Sequence, residues 1–179
     1  VDSVASAIYQ IEQGKGVVIA DQTGIGKGRQ AAAVIRWAER SGYIPVFVSV
    51  KPSLFTDMFG DLHDIGSDNI APFILNKDES IKGPGDTKLF ANKALTHKRN
   101  IENIRDTGQL PDGSNAIFMT YSQVNTDNVQ RGMLAALADR AVFILDESHN
   151  AGGQSNTGEF ITSLLEGAKG VTYLSATYA

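Results

Sequence analysis

Val17-Val18-Ile19-Ala20-Asp21-Gln22-Thr23-Gly24-Ile25-Gly26-Lys27-Gly28-Arg29 decides how the rest of the chain is read. Val17 to Ala20 is an apolar run the length of a buried strand. Gly24 and Gly26 bracket a tight loop, and an alanine-rich helical pattern follows Lys27 at once. A strand, a glycine loop and a helix in that order build a phosphate-binding loop. The glycines let backbone N–H groups turn inward around a polyphosphate, the helix N-terminus adds partial positive charge, and the lysine reaches the outer phosphates. The stretch therefore predicts a nucleoside triphosphate held by Thr23, Gly24, Ile25, Gly26, Lys27, Gly28 and Arg29. Two positions depart from the usual G-x-x-x-x-G-K-[ST]. Asp21 stands at the first glycine, and Gly28 stands where a hydroxyl side chain ordinarily ligates magnesium.

The chain has 179 residues, 42% of them hydrophobic, which is room for one sizeable α/β domain with a continuous core. Its net charge of −4 means that no global positive field draws in nucleic acid, so any such contact must come from a local patch. Cysteine is absent, which excludes disulfides, thiol nucleophiles and cysteine-ligated zinc and fits a reducing cytoplasm. No apolar run approaches the roughly 18 residues of a membrane span, and the first residues lack a signal-peptide layout. The expected location is therefore cytoplasmic, or nuclear in a eukaryote, with no membrane partner. The opening mid-pattern at Val1 and the break at Thr177-Tyr178-Ala179 lead us to expect a fragment of something longer.

Outward from the loop, Val1 to Gln13 has helical spacing. Gln30 to Arg40 predicts a helix with Trp37 on its apolar face, and Pro45 to Val50 a second buried strand. Lys51-Pro52-Ser53 turns into a helix over Leu54 to Asp64, with Ser53 as its cap and with Asp57, Asp61 and Asp64 forming a solvated face. Ile70 to Leu75 fits a third strand and Asn76 to Lys88 an exposed loop. Lys88 to Arg105 looks helical and is locally basic, the one positive stretch, and either an ordinary solvated face or a polynucleotide contact accounts for it. His97 within it supports neither catalysis nor metal binding by itself. Ala116 to Thr120 predicts a strand, Asp127 to Ala138 a helix, and Ala141 to Leu145 the most strongly apolar strand of the chain.

That last strand ends in Asp146-Glu147-Ser148-His149. Two consecutive carboxylates at the C-terminal end of a buried strand fall on the ligand edge of a parallel sheet, where a phosphate-binding loop also lies. Asp146 is placed to hold magnesium and Glu147 to orient and deprotonate an attacking water. A glycine- and asparagine-rich loop, Asn150 to Gly158, is expected to be mobile near the nucleotide edge. A helix over Glu159 to Glu166 and a strand over Val171 to Leu174 follow, and the chain then reaches Ser175-Ala176-Thr177. The fold expected from this alternation is a three-layer α/β domain with a mostly parallel central sheet, a single domain over residues 1–179.

T-G-I-G-K-G, T-Y-S, D-E-S-H and S-A-T, in this order and each at a strand end, resemble the first RecA-like lobe of a superfamily 2 helicase or translocase. The G-K-G-R form of the loop together with D-E-S-H-N-A-G-G is more closely similar to the strawberry notch-like ATPase group, in which glycine after the loop lysine is the habit. The resemblance implies a RecA-like ATP-binding lobe of a nucleic-acid-dependent ATPase that uses ATP and Mg2+. Lys27, Asp146 and Glu147 would be its catalytic residues. It further implies that His149, Ser175 and Thr177 couple the nucleotide site to a second RecA-like lobe and to nucleic acid, with DNA favoured over RNA. Ser49, Lys51, Thr120 and Tyr121 would touch a sugar-phosphate backbone. Arg29 would contact nucleotide or form a salt bridge.

With glycine at position 28, magnesium would be held by phosphates, water and Asp146 alone, since the ion usually keeps several waters. A Gly28→Thr substitution then separates a position that merely lacks a ligand from one that needs glycine for its backbone. A motor also needs an arginine supplied across the cleft between two lobes, so this lobe alone is expected to hydrolyse ATP slowly or not at all. The alternative is a non-catalytic ATP-binding scaffold. A kinase or GTPase on the same loop would leave D-E-S-H and S-A-T unexplained.

Overall fold

The computed structural model of the protein describes residues 8, 17–20, 26–147 and 156–175. Among them a six-stranded sheet forms the middle layer, with strands β1 (Val17–Ala20), β2 (Ile44–Ser49), β3 (Pro72–Ile74), β6 (Ala116–Thr120), β7 (Ala141–Leu145) and β8 (Gly170–Ser175). Their order is β1-β8-β7-β2-β6-β3, and every neighbouring pair is parallel. Helices α1 (Lys27–Arg40), α2 (Ser53–Asp64), α3 (Ala94–Thr107), α4 (Val129–Leu137) and α5 (Asn156–Glu166) provide the outer layers.

The layering follows from the strand sequences. Ala141-Val142-Phe143-Ile144-Leu145 is apolar at every position because both faces of its strand are covered, as in all-parallel sheets. Alternate residues then serve different cores. Ala141, Phe143 and Leu145 join Ile101 and Ile104 of α3, Met133, Leu134 and Leu137 of α4, and Ile161 and Leu164 of α5. Val142 and Ile144 join Ala31, Val34, Ile35 and Ala38 of α1 and Phe55, Met58 and Leu62 of α2 on the opposite face. Trp37 lies at the margin of this second core against Tyr43, the ring centroids 5.8 Å apart. Three layers are thus the way to bury both faces of these strands at once.

Three local expectations are corrected. Ser53 does not cap α2: Pro52 is the N-cap residue, no side chain caps the helix, and Ser53 is its first residue. A proline fits there because no intrahelical partner awaits its missing N–H. The loop expected over Asn76 to Lys88 contains an antiparallel hairpin, β4 (Ser80–Lys82) and β5 (Lys88–Ala91), joined through a turn at Pro84–Asp86. Ile81 is its fully buried anchor, and a single inward side chain on a three-residue strand leaves too short a pattern to detect. The first residues of the expected basic helix consequently belong to β5, and α3 begins only at Ala94. The helical pattern over Val1 to Gln13, apart from Ile8, and residues 148–155 lie outside the described residues.

Candidate nucleotide site

Helix α1 starts at the C-terminal edge of the sheet with its first turn pointing into the site. Its N-cap is Gly26, at φ 84° and ψ −8°, a left-handed conformation that only glycine adopts without penalty. Among the described residues no side chain caps this end, and no acidic residue lies in its first turn. An α-helix cannot satisfy its first amide N–H groups internally, so an uncapped start is suited to an anion.

Across the edge, β7 delivers the acidic pair. The Asp146 N–H donates to the Val48 carbonyl at 2.9 Å, extending the β2–β7 ladder by one residue. Glu147 then turns through φ 47°, left-handed for a side chain that ordinarily avoids it, and its N–H donates to Asp146 Oδ1 at 3.0 Å. This turn keeps both carboxylates at the strand end. Lys27 Nζ lies 3.3 Å from Asp146 Oδ1 and 3.8 Å from Glu147 Oε1. The Lys27 and Asp146 side chains are only 15% and 14% exposed, so their attraction is screened less than that of a surface pair.

The Tyr121 hydroxyl donates to the Asp146 backbone carbonyl at 2.7 Å. Burial pushes this phenol well above its ordinary value, and the nearby Asp146 and Glu147 charges add to the shift. Tyr121 is therefore a neutral donor throughout the ordinary pH range. Its neighbour Thr120 is pinned by Asn76: Asn76 Nδ2 donates to Thr120 Oγ1 at 2.8 Å, and the Thr120 N–H donates to Asn76 Oδ1 at 3.2 Å.

Strand register brings together residues that lie far apart in sequence. Ser49 pairs with Thr120 across β2 and β6, and Ala20, the residue before the loop, pairs with Ser175 across β1 and β8. Ser49 is buried and its hydroxyl donates to the Lys51 carbonyl at 2.9 Å, while the Lys51 side chain is exposed. Arg29 lies on the outer side of α1 and pairs with Asp64 of α2 at 3.4 Å. Thr23, Gly24, Ile25, His149, Thr177 and the Ser175 side chain lie outside the described residues. His97 is buried in another part of the molecule, its Nε2 2.8 Å from the Leu75 carbonyl oxygen and its ring stacked on Phe73.

The acidic face of α2 is corrected in part. A cavity of about 130 Å³ between α1, α2 and the strand ends is lined by Lys27, Gly28, Asp57, Asp61 and Asp146 among others. Asp57 and Asp61 therefore face the same space as Lys27 and Asp146. No sequence signal joined α2 to this site, because only helix packing sets the rotation that turns these two carboxylates toward α1.

A sequence profile for the family described as P-loop containing NTP hydrolase pore-1 matches residues 5–178. The chain belongs to that family. Among solved structures, the chain is similar to a nuclease-deletion mutant of the Type ISP restriction-modification enzyme LlaGI in complex with a DNA substrate mimic. The TM-score is 0.67 at 16% identity, over 98% of this chain and 17% of that one. It is also similar to the UvsW helicase from bacteriophage T4, with a TM-score of 0.62 at 16% identity, over 98% of this chain and 50% of that one. At such identities the likeness is one of fold alone, a P-loop α/β fold, and the chain spans half or less of either relative's length. No curated protein matches the sequence. Among the described residues no helix is long and apolar enough to cross a membrane.

Proposed function

We propose that this chain is the nucleotide-binding lobe of a nucleic-acid-dependent ATPase, a helicase or translocase, in which residues 1–179 form the first of two RecA-like lobes of a longer protein. The observation that carries the reading is the convergence of Lys27 on Asp146 and Glu147, at 3.3 and 3.8 Å, from opposite ends of the sequence. In this arrangement Lys27 exchanges part of its contact with the carboxylates for the outer phosphates of ATP. The first-turn amides of α1 cradle the phosphate chain. Glu147, set by its left-handed turn, accepts the proton of the attacking water. The residues present fit a magnesium ion: Asp146 offers a hard carboxylate oxygen in a cavity that also opens on Gly28. When bound, the ion supplies neutralisation of charge on the phosphate oxygens.

Lys51, exposed at the same sheet edge, follows as a contact to a sugar-phosphate backbone, whereas Ser49 and Thr120 are buried with their hydroxyls engaged inside the protein and Tyr121 orders the acidic turn. DNA is favoured because LlaGI, whose fold this chain shares, is in complex with a DNA substrate mimic. Strawberry notch-like ATPases are the nearest resemblance within this reading, through G-K-G-R and D-E-S-H-N-A-G-G. A motor of this kind acts in the cytoplasm, or in the nucleus of a eukaryote.

ATP hydrolysis by the longest parent chain, with and without single-stranded DNA, duplex DNA and RNA, tests the assignment. Stimulation by one polymer that Glu147→Gln abolishes, with nucleotide still bound, is the expected result. Nucleotide binding without turnover under every condition would instead establish the non-catalytic scaffold.

A further inference from the structure

Gly28 has a neighbour whose carboxylate fills the space beside it. Its backbone lies within helix α1, so no left-handed conformation requires it. What a side chain at this position would meet is the end of the Asp61 side chain, which would have to swing aside to admit it. A Cβ built on Gly28 would overlap the Asp61 carboxylate, lying 3.0 Å from Cγ and 3.5 Å from Oδ1 with Oδ2 nearer still. The space beside residue 28, where the phosphate-loop motif carries a hydroxyl side chain, thus holds a carboxylate that arrives from α2. Asp61 and Asp146 line the same cavity beside Lys27.

We propose that Asp61 takes the place of the missing hydroxyl and contributes, with Asp146, to holding the magnesium ion of a bound Mg-nucleotide, directly or through a water. This rests on the nucleotide-site reading above. The loss of the side chain at position 28 and the gain of a carboxylate over it form one exchange. A neutral oxygen on the loop is replaced by an anionic oxygen on the neighbouring helix, which strengthens attraction to a hard divalent cation. The electrostatics agree with the geometry. Burial raises the Asp61 carboxyl above its ordinary value, Asp64 and Asp57 raise it further, and Arg29 offsets only part of this. Arg29 is itself 3.4 Å from Asp64.

The test is nucleotide affinity of the full chain, measured by titration calorimetry with Mg2+ and again with EDTA, for the wild type, Asp61→Asn and the double variant Gly28→Ser with Asp61→Gly. Asp61→Asn preserves the shape and should melt no lower than the wild type near neutral pH. It should weaken Mg-ATP binding about 10- to 100-fold, the usual range for groups that support a metal site, and leave metal-free ATP binding equal or tighter. The double variant restores a hydroxyl on the loop with room to fit and should recover most of the magnesium dependence. Manganese EPR of the Mn-ADP complex should change on Asp61→Asn, independently of turnover. If Asp61→Asn leaves the magnesium dependence unchanged, or weakens both forms of ATP equally, Asp61 only fills space and the proposal is overturned. If the wild type binds no nucleotide in either condition, the nucleotide-site reading fails first and takes this one with it.

Discussion

Removing the Tyr121 hydroxyl with Tyr121→Phe isolates the contact that holds the acidic turn. The ring is 7% exposed and stays packed in the core beneath β6, so the substitution deletes a single oxygen and its 2.7 Å hydrogen bond to the Asp146 carbonyl. A neutral bond of this kind contributes about 1 kcal/mol net. The acceptor is part-buried, so the carbonyl left behind regains some hydration and the loss stays near that value. For a chain of this size about 1 kcal/mol lowers the melting temperature by roughly 2–4 °C, and at an m-value of about 2 kcal/mol/M it moves the urea midpoint by about 0.5 M. Tyr121→Ala, which also empties the ring's volume, should cost about 3–5 kcal/mol.

Urea melts of the three proteins with a common m-value give the comparison. Nucleotide turnover should fall more in Tyr121→Phe than ground-state nucleotide affinity, because the hydroxyl steadies the backbone that aims Glu147 and touches no phosphate. A phenylalanine variant as stable as the wild type, or one as damaged as the alanine variant, would refute the reasoning.

Two further outcomes rest on other contacts. Asn76→Ala removes the partner of the buried Thr120 amide, while the Thr120 hydroxyl keeps Ser122 Oγ at 2.8 Å, and should cost about 1–3 kcal/mol in a denaturant melt. It should also disturb amide exchange at Thr120 and Tyr121 before it disturbs β7. The His63 imidazole titrates above its ordinary value because Asp68 accepts its Nδ1 hydrogen bond and supplies the neighbouring negative charge. The stability it adds is therefore complete below the unfolded value near 6.5 and is lost as pH rises through the higher folded value. NMR titration of His63 should show that upward shift, and Asp68→Asn should abolish most of it.

The helix start at Lys27, the acidic strand end and the strand–helix alternation behind the three-layer α/β architecture were legible along the chain because each is a local event. A strand is a run of apolar residues, and a loop that cradles phosphate needs glycines followed by a helix start. Lys27, Asp146 and Glu147 could be selected from such runs, and the sheet brought them within 4 Å because parallel strands present their C-terminal ends along one edge. Strand order was not legible. That β8 and β7 insert between β1 and β2 depends on which apolar faces pack best together, and no single segment carries that information. The hairpin over Ser80–Ala91 was likewise hidden, since Ile81 is the one buried residue of its two short strands and gives no period.

Asp61 marks the boundary most sharply. By sequence alone it is one of three aspartates on an amphipathic helix, and solvent is the natural neighbour for such a face. By sequence alone Gly28 is a motif position that lost its hydroxyl. Only the packing of α2 against α1 shows that the two observations are one, because the helix rotation that buries Phe55, Met58 and Leu62 also carries the Asp61 carboxylate over Gly28. The sequence by itself determined which groups are available for phosphate and metal chemistry. The tertiary structure decided which of them share a volume, since that depends on distances between elements set by the core as a whole.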